Sequence, residues 1–107
     1  MALENVQTWL WGTYTYVRSV GVGDIDIDGQ TEIVTGGYCS GGAQLCVWDG
    51  ASLAFENVQT WSWGAGSWIT SVAVGNVDVD GQVEIVTGGA FNDGTRSVAQ
   101  MCVWEYS

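Results

Sequence analysis

Asp24-Ile25-Asp26-Ile27-Asp28-Gly29-Gln30-Thr31-Glu32 carries oxygen side chains at positions 1, 3, 5 and 9, with glycine at position 6. Asn76-Val77-Asp78-Val79-Asp80-Gly81-Gln82-Val83-Glu84 repeats the pattern in register. Alternate residues of such a stretch can turn toward one centre, and the glycine permits the tight turn. Ca²⁺ takes about six to eight oxygen ligands at flexible geometry, and acids with a backbone carbonyl supply them. The first expected site therefore uses Asp24, Asp26, Asp28 and Glu32, with the carbonyl of Gln30. The second uses Asn76, Asp78, Asp80 and Glu84, with the carbonyl of Gln82. Mg²⁺ would keep more water, and soft metals would want Cys or His, which these loops lack. The plain alternative is a solvated acidic turn, but four carboxylates crowded together without a cation repel one another. Asn76 replaces a carboxylate with a neutral oxygen, so the second site is expected to bind less tightly.

Outward from these loops the chain is one unit written twice. Aligning residues 4–38 on 56–90 gives 22 identities in 35 positions. Ala43-Gln44-Leu45-Cys46-Val47-Trp48 returns as Ala99-Gln100-Met101-Cys102-Val103-Trp104 after four extra residues around Asn92-Asp93-Gly94-Thr95. An insertion there marks a surface loop. No segment has a helical period, and the boundaries carry Gly, Asp or Ser, so each unit reads as four short strands. In the first unit these are Val17 to Val22, Glu32 to a Gly-Gly stop, Ala43 to Trp48, and Asn57 to Trp63. In the second they are Ile69 to Val74, Glu84 to its own Gly-Gly, and Val98 to Trp104. Asn5 to Trp11 reads as a further strand equivalent to Asn57–Trp63. Both faces of these strands carry bulk, which suits sheets stacked between neighbours. A repeat of this length indicates a propeller blade or another stacked array.

Composition narrows the chemistry. The 107 residues include no His and, among bases, only Arg18 and Arg96, against twelve acids, for a formal charge of −10. Without His there is no histidine general base, no Ser-His-Asp triad and no imidazole metal site. Without Lys there is no Schiff-base chemistry. An acidic chain repels phosphate backbones, which argues against nucleic acid as a partner. No apolar run is long enough to insert in a membrane. Two bound Ca²⁺ would offset four of the ten formal negative charges, so much of the excess acid reads as ligand.

The residues around the loops resemble the FG-GAP, or integrin-α-like, β-propeller repeat. Val20-Gly21-Val22-Gly23 and Val72-Ala73-Val74-Gly75 match its first strand. Asp24, Asp26, Asp28, Gly29 and Glu32, with Asn76, Asp78, Asp80, Gly81 and Glu84, match its calcium loop. Ile33-Val34-Thr35-Gly36-Gly37 and Ile85-Val86-Thr87-Gly88-Gly89 match the strand that follows. The resemblance implies an all-β propeller of four-stranded blades, two blades per chain, holding two Ca²⁺. The family spans adhesion receptors, lectins and lyase scaffolds, so it implies no single function. The sequence departs from the pattern at Ile27 and Val79, where the family often has Gly. The Phe-Gly that names the repeat is also missing, with Tyr16 and Trp68 in its neighbourhood.

Two blades cannot close a ring. Residues 1–11 are expected to complete a neighbour's blade, 12–63 to form the first repeat, and 64–107 the second repeat without its last strand. Head-to-tail pairing then gives a cyclic homo-oligomer, a trimer or a tetramer. The alternative is a piece of a longer propeller.

The functional expectation is a non-catalytic calcium-binding module that presents a scaffold or a recognition surface to protein or glycan. The alternative is a lectin whose loop aromatics, Tyr14, Tyr16, Tyr38, Trp68 and Phe91, stack on sugars. A third is the scaffold of a polysaccharide-active enzyme. The repeated Trp9/Trp61, Trp11/Trp63 and Trp48/Trp104 read as packing residues. Arg18 and Arg96 read as solvated or ion-paired. Cys46 and Cys102 read as small core residues and Cys39 as a free thiol, with a Cys39–Cys46 bridge the alternative. Calcium-loaded loops favour an extracellular or cell-surface setting, although the sequence carries no signal peptide.

Overall fold

The computed structural model describes residues 2–12, 14–25, 29–40, 42–62, 66–77 and 83–105. The described residues are all-β, in two antiparallel sheets. The first sheet runs β1 (Thr15–Gly23), β2 (Glu32–Cys39), β3 (Gly42–Asp49) and β4 (Phe55–Trp61), each strand beside the next. The second runs β5 (Gly66–Gly75), β6 (Glu84–Asn92) and β7 (Ser97–Glu105) in the same way. The two sheets pack together without closing a ring.

Most of the expected strands are present and longer, the strand expected at Asn57–Trp63 lies at Phe55–Trp61, and neither Gly-Gly pair is a stop. Gly36-Gly37 lies inside β2, not at its end. At this point β1 bulges: Val17 pairs with Gly37 and Ser19 with Gly36, leaving Arg18 as the extra residue. A Cβ on Gly37 would fall on the Tyr16 carbonyl oxygen, so glycine lets the bulged backbone come close. The second sheet repeats the device, with Thr70 as the extra residue and Gly89 against the Trp68 carbonyl.

The expected strand at Asn5–Trp11 is not formed in the single chain: the described residues 2–12 contain no strand. The physical reason lies in the pairing. The outer edge of β3, where the equivalent segment would add, is already taken by β4. An extended segment without a hydrogen-bonded neighbour is not a strand.

The core lies between the sheets. Val34, Ala43, Leu45 and Val47 of the first meet Ile69, Val72 and Ile85 of the second, with Ile25 closing one end. Glycines of the first sheet seat the valines of the second. A Cβ on Gly23 would stand 2.7 Å from Val74 Cγ1, and one on Gly36 would stand 2.7 Å from Ile69 Cγ2. The central strand β3 is buried from Ala43 to Trp48, which explains its unbroken apolar reading. Trp48 Nε1 donates to Thr35 Oγ1 at 3.1 Å, and Trp104 Nε1 donates to Thr87 Oγ1 at 3.0 Å. The recurring tryptophans thus pack within and between the sheets, as their repetition suggests; Trp63 lies outside the described residues.

Candidate metal loops and an inter-sheet cleft

The acidic loops follow β1 and β5. In the first, Gly29 N–H donates to Asp24 Oδ2 at 2.8 Å. Gly29 has φ +84°, a conformation that glycine adopts without strain. Ile25 turns its side chain into the core, while its N–H donates to Glu32 Oε1 at 3.0 Å. The second loop repeats that brace, with Val77 N–H donating to Glu84 Oε1 at 2.9 Å. Glu32 is fully buried and Glu84 is 1% exposed. A buried carboxylate is costly unless polar or charged groups compensate it, and the loop N–H supplies part of that compensation.

Of the expected ligands, Asp24, Gln30, Glu32, Asn76 and Glu84 are described. Asp26, Asp28, Asp78, Asp80 and Gln82 lie outside the described residues. Among the described residues no three acids, Cys or His gather closely enough to hold an ion. The donors that are described are carboxylate and amide oxygens, a set that suits a hard divalent cation and no soft one.

A second feature stands at the opposite end of the strands. A cavity of about 360 Å³ opens between the sheets, lined by Tyr14, Arg18 and Tyr38 of the first and Gly66, Ser67, Trp68 and Asn92 of the second. The bulge in β1 re-aims Arg18. Its guanidinium lies 5.5 Å from the centre of the Tyr38 ring, with Nη2 3.4 Å from Tyr38 Oη. Tyr14 lies 5.9 Å from Tyr38, and both line the cavity, while Tyr16 packs behind them at 5.0 Å from Tyr38 and 5.9 Å from Tyr14. Ser67 is 2% exposed. Of the expected loop aromatics, Tyr16 and Phe91 are not part of the lining.

The insertion forms one rim. Asp93 Oδ1 accepts from Thr95 N–H, Thr95 Oγ1 and Arg96 N–H, each at 3.0 Å, and Arg96 Nε reaches Asp93 Oδ2 at 3.4 Å. The Thr95 and Arg96 amides hold the Asp93 carboxyl below its usual range. Arg96 is thus ion-paired. Arg18 is exposed, in keeping with its solvated reading, and its guanidinium also rests on the Tyr38 ring beside the cavity.

Charge is polarised along the strands. Gly23 stands opposite Glu32, which stands opposite Asp49, and Gly75, Glu84 and Glu105 align in the same way. These acids share the loop end with Asp24. Both arginines and Asp93 lie toward the other end. About 17 Å of strand separates Arg18 from Gly23 at roughly 3.3 Å per residue, against a physiological Debye length of about 8 Å. The cleft is therefore shielded from the acidic loops.

The cleft's composition was visible in the sequence only as a failure of the repeat. Tyr14, Arg18 and Tyr38 have Gly66, Thr70 and Ala90 as counterparts, and Asn92 belongs to the insertion. Repeated positions build the fold, whereas these unrepeated ones converge on one cavity.

The three cysteines are free. Cys46 is fully buried, as a core residue should be. No Cys39–Cys46 bridge forms, because Cys46 pairs with Thr35 while Cys39 sits at the far end of β2 opposite Gly42.

The model of the FG-GAP-like repeat family matches residues 24–87. The chain belongs to this family. No curated protein and no solved structure matches it.

Proposed function

We propose that this chain is a non-catalytic, calcium-stabilised recognition module of the β-propeller type that takes its ligand in the cleft between the two sheets. The observation that carries the reading is the unrepeated set Tyr14, Arg18, Tyr38 and Asn92, brought to one cavity by strands that are otherwise near copies. Calcium would be held by Asp24, Asp26, Asp28, Glu32 and the Gln30 carbonyl, and by Asn76, Asp78, Asp80, Glu84 and the Gln82 carbonyl. Its role is to neutralise the loops and fix the strand ends. The described residues that line the cleft are aromatic, guanidinium, amide and hydroxyl groups suited to binding, whereas glycoside cleavage generally uses a pair of carboxylates.

One observation favours carbohydrate over protein as the ligand. The cavity has the volume for one or two sugar rings. It offers the aromatic faces of Tyr14, Tyr38 and Trp68 beside a guanidinium, an amide and a hydroxyl. Such sites combine apolar faces with a few placed polar groups. Binding to a broad glycan array, with Arg18→Ala and Tyr38→Ala as comparisons, tests this. Hits lost at least tenfold in both variants support the cleft. Hits unchanged in both variants place recognition elsewhere, and silence across the array returns the reading to a protein partner.

A further inference from the structure

The contact between the two sheets is asymmetric, and each half of it has an uncovered counterpart elsewhere on the chain. The second sheet presents Ile69, Val72 and Val74, and the first receives them on Gly21, Gly23 and Gly36. By the repeat, the first sheet presents Val17, Val20 and Val22 in the same positions. They are 44%, 56% and 61% exposed, whereas Ile69 and Val72 are 1% and 9% exposed. The receiving positions repeat as Ala73, Gly75 and Gly88. A Cβ on Gly75 or Gly88 would meet nothing within 4 Å. Ile25, 3% exposed under the second sheet, has Val77 as its counterpart, at 53%.

The strand edges tell the same story. β4 covers the outer edge of β3, but among the described residues no strand covers β7. Met101 and Val103 of β7 are 77% and 55% exposed, where Leu45 and Val47 of β3 are each 4% exposed. The segment that would cover β7 is present in the chain, since Glu4–Trp9 is identical to Glu56–Trp61. It is placed on the opposite side of the molecule, against the first sheet. There Trp9 stacks on Trp48 at 4.7 Å and donates to Gln44, as Trp61 stacks on Trp104 at 4.7 Å and donates to Gln100.

We infer that the chain associates head to tail with a second copy of itself. Residues 3–9 of one copy add as the fourth strand to β7 of the next, while Val17, Val20 and Val22 of the first copy seat on Ala73, Gly75 and Gly88 of the second. The register follows from β3 and β4, where Ala43 pairs with Trp61 and Cys46 with Val58. Ala99 then pairs with Trp9, and Cys102 with Val6, across the copies. The strand and the valines lie on the same side as their intrachain models, so one neighbour satisfies both. The contact is heterologous, and successive copies close into a ring when the rotation divides the circle. Three or four copies give six or eight sheets. This inference does not depend on which ligand the cleft takes.

The test is the solution mass of the 107-residue chain at micromolar concentration, by light scattering with sedimentation. The expected mass is three or four times 11.4 kDa; a monomer overturns the inference. Gly88→Leu has open space in the single chain but would strike the neighbour's valines. It is expected to give the 11.4 kDa species with an unchanged far-ultraviolet spectrum, and a folded variant that keeps the full assembly overturns the proposed contact. Val6→Cys in a Cys39→Ser background tests the register. Mild oxidation is expected to give a ladder of covalent multimers through Cys102, and absence of the ladder from an assembled protein overturns the strand pairing.

Discussion

Trp61 Nε1 donates to Gln100 Oε1 at 3.2 Å, tying the last strand of the first sheet to the last strand of the second. The rings of Trp61 and Trp104 lie 4.7 Å apart beside this bond. Trp9 makes the same pair of contacts with Gln44 and Trp48, so the chain uses one device twice. A side chain of one unit thus finishes the surface of the next. That explains why Gln sits among the apolar residues of β3 and β7: its carbonyl oxygen receives the indole N–H.

Trp61→Ala removes the stacking and leaves the Gln100 carbonyl oxygen without its donor. Full burial of a tryptophan is worth more, but Trp61 is only half-buried, so the expected loss is about 2 kcal/mol. Trp61→Phe keeps the ring and loses the hydrogen bond, with an expected loss of about 1 kcal/mol. Urea unfolding followed by circular dichroism measures both. No loss in Trp61→Phe would show that the hydrogen bond contributes nothing, and equal losses in the two variants would show that the stacked ring adds nothing to it.

Gly37→Ala should cost about 2 kcal/mol or more, because its Cβ would fall on backbone and not on a movable side chain. Gly42→Ala is the matched control in the same sheet. Its Cβ would find the Trp61 carbonyl at an acceptable 3.4 Å, so the expected change is within about 1 kcal/mol. Similar losses in the two variants would contradict the bulge as the reason for the Gly-Gly pair. Because the bulge also sets Arg18, Gly37→Ala should weaken cleft binding while Gly42→Ala leaves it unchanged.

Burial pushes the Cys46 thiol up to about 11 from an ordinary 9.0, with the Thr35 hydrogen bond pulling the other way. The folded protein therefore holds this proton when the unfolded chain has lost it. The contribution is complete below pH 9 and is lost as pH rises from 9 toward 11. At about 1.4 kcal/mol per unit, it amounts to roughly 3 kcal/mol at most. Denaturation at pH 8 and pH 10.5 should show a smaller fall in stability for Cys46→Ala than for the parent. Parallel slopes would exclude the thiol as the source. At pH 8 a maleimide should label Cys39 before Cys46.

Much of the fold was legible because it is periodic. The strands of both units could be placed from β-branched runs bounded by turn residues, and the repeat supplied each assignment twice. What escaped was tertiary. Gly36-Gly37 looks like a stop in one dimension, yet it is a point of close backbone approach inside a pair of strands. Asn5–Trp11 has a strand's pattern, but a strand also needs a free edge, and pattern alone does not say where one is. The two acidic loops were readable as turns between strands from their glycine and oxygen spacing. The backbone braces from Ile25 and Val77 to Glu32 and Glu84 depend on where β2 and β6 begin and could not be read in that way. The contact of Arg18 with the Tyr38 ring could not be read, because the two are remote in sequence. The departures from the repeat, Tyr14 for Gly66 and Tyr38 for Ala90, were the available signal.

Calcium titration of the chelator-stripped chain by calorimetry, with melting curves taken in parallel, tests the central claim most directly. Two Ca²⁺ per chain should bind, the first loop more tightly because it holds Asp24 where the second has Asn76. The melting temperature should rise with free Ca²⁺ as binding to the folded state requires. Asp24→Asn should bring the first site toward the affinity of the second. No heat of binding, and a melting temperature indifferent to chelator, would contradict the account.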